Sequence, residues 1–164
     1  MRNRDGVKTP SLFLLVALSV VLTSCGRRAA NSEPATRENV WAAIQPHAAR
    51  YRIEPAFIYA LVAAESNFDA RARNSEARGL LQLTPGAWRT VSRESYDPAV
   101  WDWHKNLEVG VEYLAWCRHE LHAKDKFSYP LLLASFHYGL DRVAAENFDL
   151  SRFASPALRP SRRW

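Results

Sequence analysis

Glu65 is the residue of this chain best placed by type and setting to do chemistry. It follows an uncharged run, Pro55 to Ala64 (PAFIYALVAA), and precedes a loop that carries Gly79. A carboxylate at the end of such a run belongs at the margin of a hydrophobic core, where desolvation disfavours its charged form and it holds its proton more readily. A glutamate whose pKa is lifted from about 4.3 towards neutrality is what general-acid cleavage of a glycosidic bond requires. Position alone does not decide the matter, because most glutamates near helix ends are solvated. A retaining glycosidase also needs a nucleophile about 5 Å from the acid, and an inverting one a more distant base. Asp69 and Glu76 are the nearest carboxylates in sequence, but both stand in polar, Arg-rich surroundings whose default reading is solvated surface.

The elements that must position Glu65 are helical almost throughout. Val40, Trp41, Ile44, Ala48 and Tyr51 form one apolar stripe, in which Pro46 is expected to restart or kink the helix. Glu54-Pro55 marks a second start, since proline suits a first helical position. From there Ile58, Leu61, Val62 and Glu65 recur at three- and four-residue spacing on related faces, which puts the carboxylate on a core-facing side. Thr84-Pro85 repeats the device, with Thr84 as N-cap of a helix through Trp88 and Val91. Asp97 to Trp103 reads as a turn-rich connector. A long amphipathic helix spans about Lys105 to Ala123, and Ser128-Tyr129-Pro130 opens another through to about Asn147, interrupted by Gly139. No alternating strand of useful length is present. The fold class is all-α, a single domain, with no internal repeat and a basic tail, Arg159 to Trp164, that should fray.

The N-terminus reads as an address. Basic residues up to Lys8 precede the uncharged run Ser11 to Leu22, whose 12 residues fall short of the roughly 20 that span a bilayer. Residues 1–24 are therefore expected to be a signal peptide. Leu22-Thr23-Ser24-Cys25 resembles a lipobox, in which cleavage before the cysteine leaves a lipid-modified Cys25. Gly26 is not the aspartate that marks inner-membrane retention, so the resemblance implies the outer membrane, periplasmic face, with the protein anchored and not spanning. Residues 25–35 are short, polar and aperiodic, as a tether should be. With Cys25 lipidated, Cys117 is the remaining cysteine, so no internal disulfide is possible and a buried thiol is expected.

The 140 residues left after the first 24 suffice for one domain with a real core. The chain carries +5; the leader holds Arg2, Arg4 and Lys8 against Asp5, leaving +3. That mild, dispersed excess suits an anionic polymer such as a peptide-bearing cell-wall glycan and does not argue for nucleic acid. His119 and His122 are separated by only two residues and have no further partners, so no metal is expected, and nothing calls for a cofactor.

Four blocks in order carry more information than any residue alone: Glu65-Ser66; Gly79-Leu80-Leu81-Gln82 with Pro85; Asn106-Leu107 with Gly110 and Tyr113-Leu114; and Phe136-His137-Tyr138-Gly139. Over about 75 residues they resemble the lytic transglycosylases with a goose-lysozyme-like catalytic domain, and the likeness covers roughly residues 40 to 148. It implies a lysozyme-like fold over residues 36–150, peptidoglycan glycan strands as substrate, and a one-carboxylate mechanism. Glu65 would protonate the glycosidic oxygen between N-acetylmuramic acid and N-acetylglucosamine. It would then take the proton of the muramyl C6 hydroxyl as that oxygen attacks C1, giving a 1,6-anhydromuramyl end.

Ser66, Ser75 and Gln82 match family positions whose side chains could position N-acetyl or hydroxyl groups; helix capping and loop bracing are the plain alternatives. Trp88, Trp101 and Trp103 could stack on sugars, though buried aromatics usually serve the core. This chain departs from the family pattern in four places. Glu76 stands for a glycine, Leu81 for a methionine, the loop after Glu65 is one residue short, and Phe136-His137 replaces Tyr-Asn. The last matters most. A tyrosine hydroxyl can hydrogen-bond near the acid and Phe136 cannot, while Tyr138 lies about 200° around the helix. His137 is a substrate contact, a partner of Glu65 or a satisfied polar residue. Phe136 and His137 complete the predicted substrate-binding set. A non-catalytic peptidoglycan-binding lipoprotein and a lysozyme-type hydrolase remain as rival functions.

Overall fold

The structure, a computed structural model, describes residues 33–153. The expected signal peptide, Cys25, most of the tether and the tail beyond Phe153 lie outside the described residues. Among the described residues seven α-helices follow one another: α1 Arg37–Tyr51, α2 Pro55–Ser66, α3 Pro85–Val91, α4 Tyr96–Ala99, α5 Trp103–Ala123, α6 Tyr129–Tyr138 and α7 Leu140–Ala145, then a 3-10 turn at Leu150–Arg152. Among the described residues there is no strand, only isolated bridges that join Arg78 to Arg73 and to Leu83. The architecture is all-α, as the periodicity led one to expect.

The helix starts follow from local chemistry. Thr36, Thr84 and Ser128 accept N–H bonds from Asn39, Ala87 and Leu131, satisfying donors that the first turn would otherwise leave open. Asp102 does the same for His104 and Lys105, so α5 begins two residues earlier than its periodicity indicated. Pro46 does not restart α1. It lies on the exposed side, where the Ala42 carbonyl it leaves unpaired can reach water, while Val40, Ile44 and Ala48 hold the opposite face in the core. Trp41, expected in the apolar stripe, is instead 43% exposed and meets Tyr59 edge-on.

Helix α5 is the spine. It packs against α1, α3 and α6, and buries Leu107, Val111, Leu114 and Cys117 completely. Removing such an aliphatic side chain from water contributes roughly 1.5–3 kcal/mol. From its middle, Arg118 donates to the carbonyls of Tyr51 and Arg52, where α1 ends in a left-handed residue, which fixes α1 to α5. A second small cluster, Ala134, Val143 and Phe153, ties α6 to α7 and carries the packing three residues past the expected boundary at 150.

Candidate functional site

Helix α2 delivers Glu65. Ile58 and Val62 are fully buried and Leu61 nearly so, and they pin the helix face from which Glu65 projects at the last turn. The Glu65 side chain is 15% exposed, a carboxylate at the core margin that solvent still reaches. Beyond Ser66 the chain reverses through Asn67 and Phe68, both at positive φ, and Phe68 buries its ring against Tyr59 under the Arg37 guanidinium. Ser66 is buried and its hydroxyl donates to the Val62 carbonyl at 3.2 Å, one turn back in its own helix. Asp69 and Glu76 are exposed, and Asp69 is occupied in a local turn with the Arg71 N–H.

The loop between α2 and α3 is braced from within. Gln82 sits at φ 45 and donates both amide hydrogens inward, to Ala72 O at 3.0 Å and Gly79 O at 2.9 Å, while its oxygen faces Asn74 Nδ2 at 3.3 Å. A non-glycine residue in this region costs energy, and these bonds are what sustain it. Gln82 thus holds the loop's shape. Ser75 lies exposed in the loop.

The loop is docked onto α5 by Asn106, which in the sequence is one member of the Asn106-Leu107 block. Asn106 is fully buried; it accepts from Leu81 N at 2.9 Å and donates to Arg78 O at 3.0 Å and Val100 O at 3.2 Å. Two glycines make the approach possible. A Cβ on Gly79 would come within 2.2 Å of Asn106 Nδ2, at a φ of +79 that also favours glycine, and one on Gly110 would meet Leu81 Cδ1 at 2.4 Å. The signal was present in the sequence: Asn106, Gly110, Tyr113 and Cys117 share one face of α5, and an amide in a core-facing stripe must find partners.

From the other side α6 brings Phe136 and His137. Phe136 is buried, its ring 5.6 Å from that of Tyr113. His137 is directed at the Glu65 carboxylate, with Nδ1 3.4 Å from Oε1. Of the predicted site residues, these two are the pair in direct polar contact. Burial pushes the Tyr113 hydroxyl and the Cys117 thiol upward, the thiol to about 12, although the hydrogen bond from Tyr113 opposes the shift at Cys117. Cys117 is therefore a protonated, packed thiol.

Trp88 and Trp103 belong to the core, their indole N–H groups bonded to the carbonyls of Glu94 and Glu33. Trp101 is half-buried, with the Arg71 and Arg78 guanidiniums over its ring. It lines a cleft of about 730 Å³ with Trp103, Arg71 and Glu94, into which Glu65 does not open. Among the described residues no group of three or more His, Cys, Asp and Glu is placed to hold a metal ion.

The glutamate that closes the apolar helix, the braced loop and the central helix onto which it is locked all lie within one family match. Transglycosylase SLT domain is the description of the family that matches residues 42–149. The chain belongs to this family. No solved structure matches the chain. The SLT match begins inside α1 and ends just before the 3-10 turn, so it takes in α2, the braced loop, α5 and α6. The protein is thus a member of the lytic transglycosylases, whose substrate is peptidoglycan.

Proposed function

We propose that this SLT domain cleaves the β-1,4 bond between N-acetylmuramic acid and N-acetylglucosamine with Glu65 as its single acid and base. The observation that carries the reading is the Glu65 carboxylate itself: 15% exposed, fixed by the buried face of α2, inside the segment that matches the family. Such a group is held in place by the helix and still open to a ligand. In the first step Glu65 gives its proton to the bridging oxygen as the C1–O4 bond breaks and positive charge develops at the muramyl ring. The resulting carboxylate then takes the proton of the C6 hydroxyl as O6 bonds to C1. Glu65 ends protonated, the product carries a 1,6-anhydro ring, and no water is consumed.

Glu65→Gln keeps shape and removes the ionisable proton, so it is expected to abolish release of anhydromuropeptides from sacculi while leaving binding and fold intact. Mass spectrometry of the digest decides the chemistry. Reducing ends in place of anhydro ends would mean hydrolysis, no product from the wild type would mean a binding protein, and near-normal cleavage by the variant would remove Glu65 from the mechanism.

We further propose that the protein is an outer-membrane lipoprotein facing the periplasm, supported by Leu22-Thr23-Ser24-Cys25 directly after the apolar leader. Cys25→Ala is expected to shift it from the carbonate-washed membrane fraction to the soluble one; retention in the membrane would count against lipidation.

A further inference from the structure

We infer that His137 is a positioning residue for Glu65, which takes over at one residue's remove the polar contact that Phe136 cannot make. The inference rests on Glu65 being the acid. Its basis is geometric: His137 Nδ1 lies 3.4 Å from Glu65 Oε1, joining the last turn of α6 to the last turn of α2 across 72 residues of chain. Phe136 has gone the other way, into the core against Tyr113.

The imidazole is well supported for such a task. Helix α6 is started by the Ser128 cap and closed at Gly139, whose N–H bonds Ser135 O and whose φ of +87 turns the chain out of the helix. It is packed against α5 and α7, so the backbone that carries His137 is held from two sides. The ring stands edge-on to Tyr138, 4.7 Å between centroids at 89°, and the Arg142 guanidinium lies over the far partner, Tyr138. Rotation of the imidazole out of line therefore disturbs a second contact.

The chemical consequence concerns which carboxylate oxygen works. With His137 on Oε1, Oε2 is left to carry the proton to the glycosidic oxygen. In the Nδ1–H tautomer His137 donates to the carboxylate that exists between the two proton transfers. A single carboxylate that serves two different substrate oxygens in succession must keep its plane, and a misplacement of about 1 Å costs on the order of 100-fold in rate.

Amide variants separate the roles. Asn Nδ2 is bonded to Cγ as His Nδ1 is, whereas Gln Nε2 stands one atom farther out, where His Nε2 is. Anhydromuropeptide release is measured for wild type, His137→Leu, His137→Gln and His137→Asn, with melts on each and Glu65→Gln as the reference. We expect kcat to fall roughly 10- to 100-fold in the Leu and Gln variants, with KM within about threefold, and His137→Asn to recover most of the loss. An increase of KM at unchanged kcat would make His137 a substrate contact and overturn the inference. So would equal activity of Leu and Asn variants, or losses that track melting temperature across all three. Activity in Glu65→Gln would instead overturn the assignment of the acid, whatever the His137 variants do.

Discussion

Asn106→Ala tests whether the loop beside Glu65 is held by the α5 amide or merely rests on it. The side chain is fully buried and makes three hydrogen bonds, to Leu81 N, Arg78 O and Val100 O, at 2.9, 3.0 and 3.2 Å. At a net value near 1 kcal/mol each, their removal costs about 3 kcal/mol, and an orphaned buried N–H adds about 1–3 kcal/mol where no water replaces the amide. A water drawn into the vacated space recovers part of this. The expected loss is about 2–4 kcal/mol, a fall in melting temperature on the order of 10 °C for a domain of this size. Urea titration followed by far-ultraviolet circular dichroism gives the free energy, and amide hydrogen exchange at Leu81 shows whether the loop loosens ahead of the rest. Asn106→Asp sharpens the test. It keeps volume and the bond from Leu81 N, but sets an oxygen against two carbonyls and buries a charge, so it should be at least as destabilising as alanine. If either variant loses less than about 1 kcal/mol, or Asp is better tolerated than Ala, the side chain is filling space and the hydrogen-bond argument fails.

Two further outcomes follow from the packing of α5. Gly110→Ala puts a methyl 2.4 Å from Leu81 Cδ1 and 3.0 Å from its Cβ, and buried Leu81 has little room to yield. Overpacking of about 1–3 kcal/mol should outweigh the gain in helix propensity of up to about 1 kcal/mol, so a variant that melts higher than wild type would contradict the contact. Cys117, with its pKa pushed up to about 12 by burial, should resist a thiol-directed reagent at pH 8 in the folded protein and react promptly in denaturant. The sign for stability follows. Above about pH 9 the unfolded thiol ionises and the folded one does not, so stability should fall as pH rises from there towards 12, by up to about 1.4 kcal/mol per pH unit from this group. Rapid labelling of the native state would refute the buried placement.

The helices were legible because their signals are local. Thr84-Pro85, Ser128 with Pro130, and Pro55 announce starts within a few residues, and the charge contrast between Glu65 and the ten residues before it survives any tertiary arrangement. Pro46 misled because the rule about proline concerns a carbonyl four residues back, and whether that carbonyl faces water is decided by the rest of the fold. The loop was opaque for the same reason on a larger scale. Gln82 could be read as a substrate contact or as a loop brace, and the bracing is settled only in space: its amide hydrogens go to carbonyls ten and three residues back, and Asn106 closes contacts 25 and 28 residues away.

The four blocks that first suggested the family can be divided by what each residue does in space. Gly79, Asn106 and Gly110 are demanded by close approach: a side chain at either glycine collides with Asn106 or Leu81, and no apolar residue replaces the bonds of the amide. Leu81 in place of methionine is tolerated in that setting because an apolar side chain of similar volume still fills the space beside Gly110. Phe136-His137 cannot be explained by volume in the same way, since a polar contact at Glu65 is at stake. Phe136 fills the core beside Tyr113 while the adjacent imidazole reaches Glu65, so the two substitutions read together as one exchange. Phe136 beside an apolar neighbour would leave Glu65 without its contact from α6.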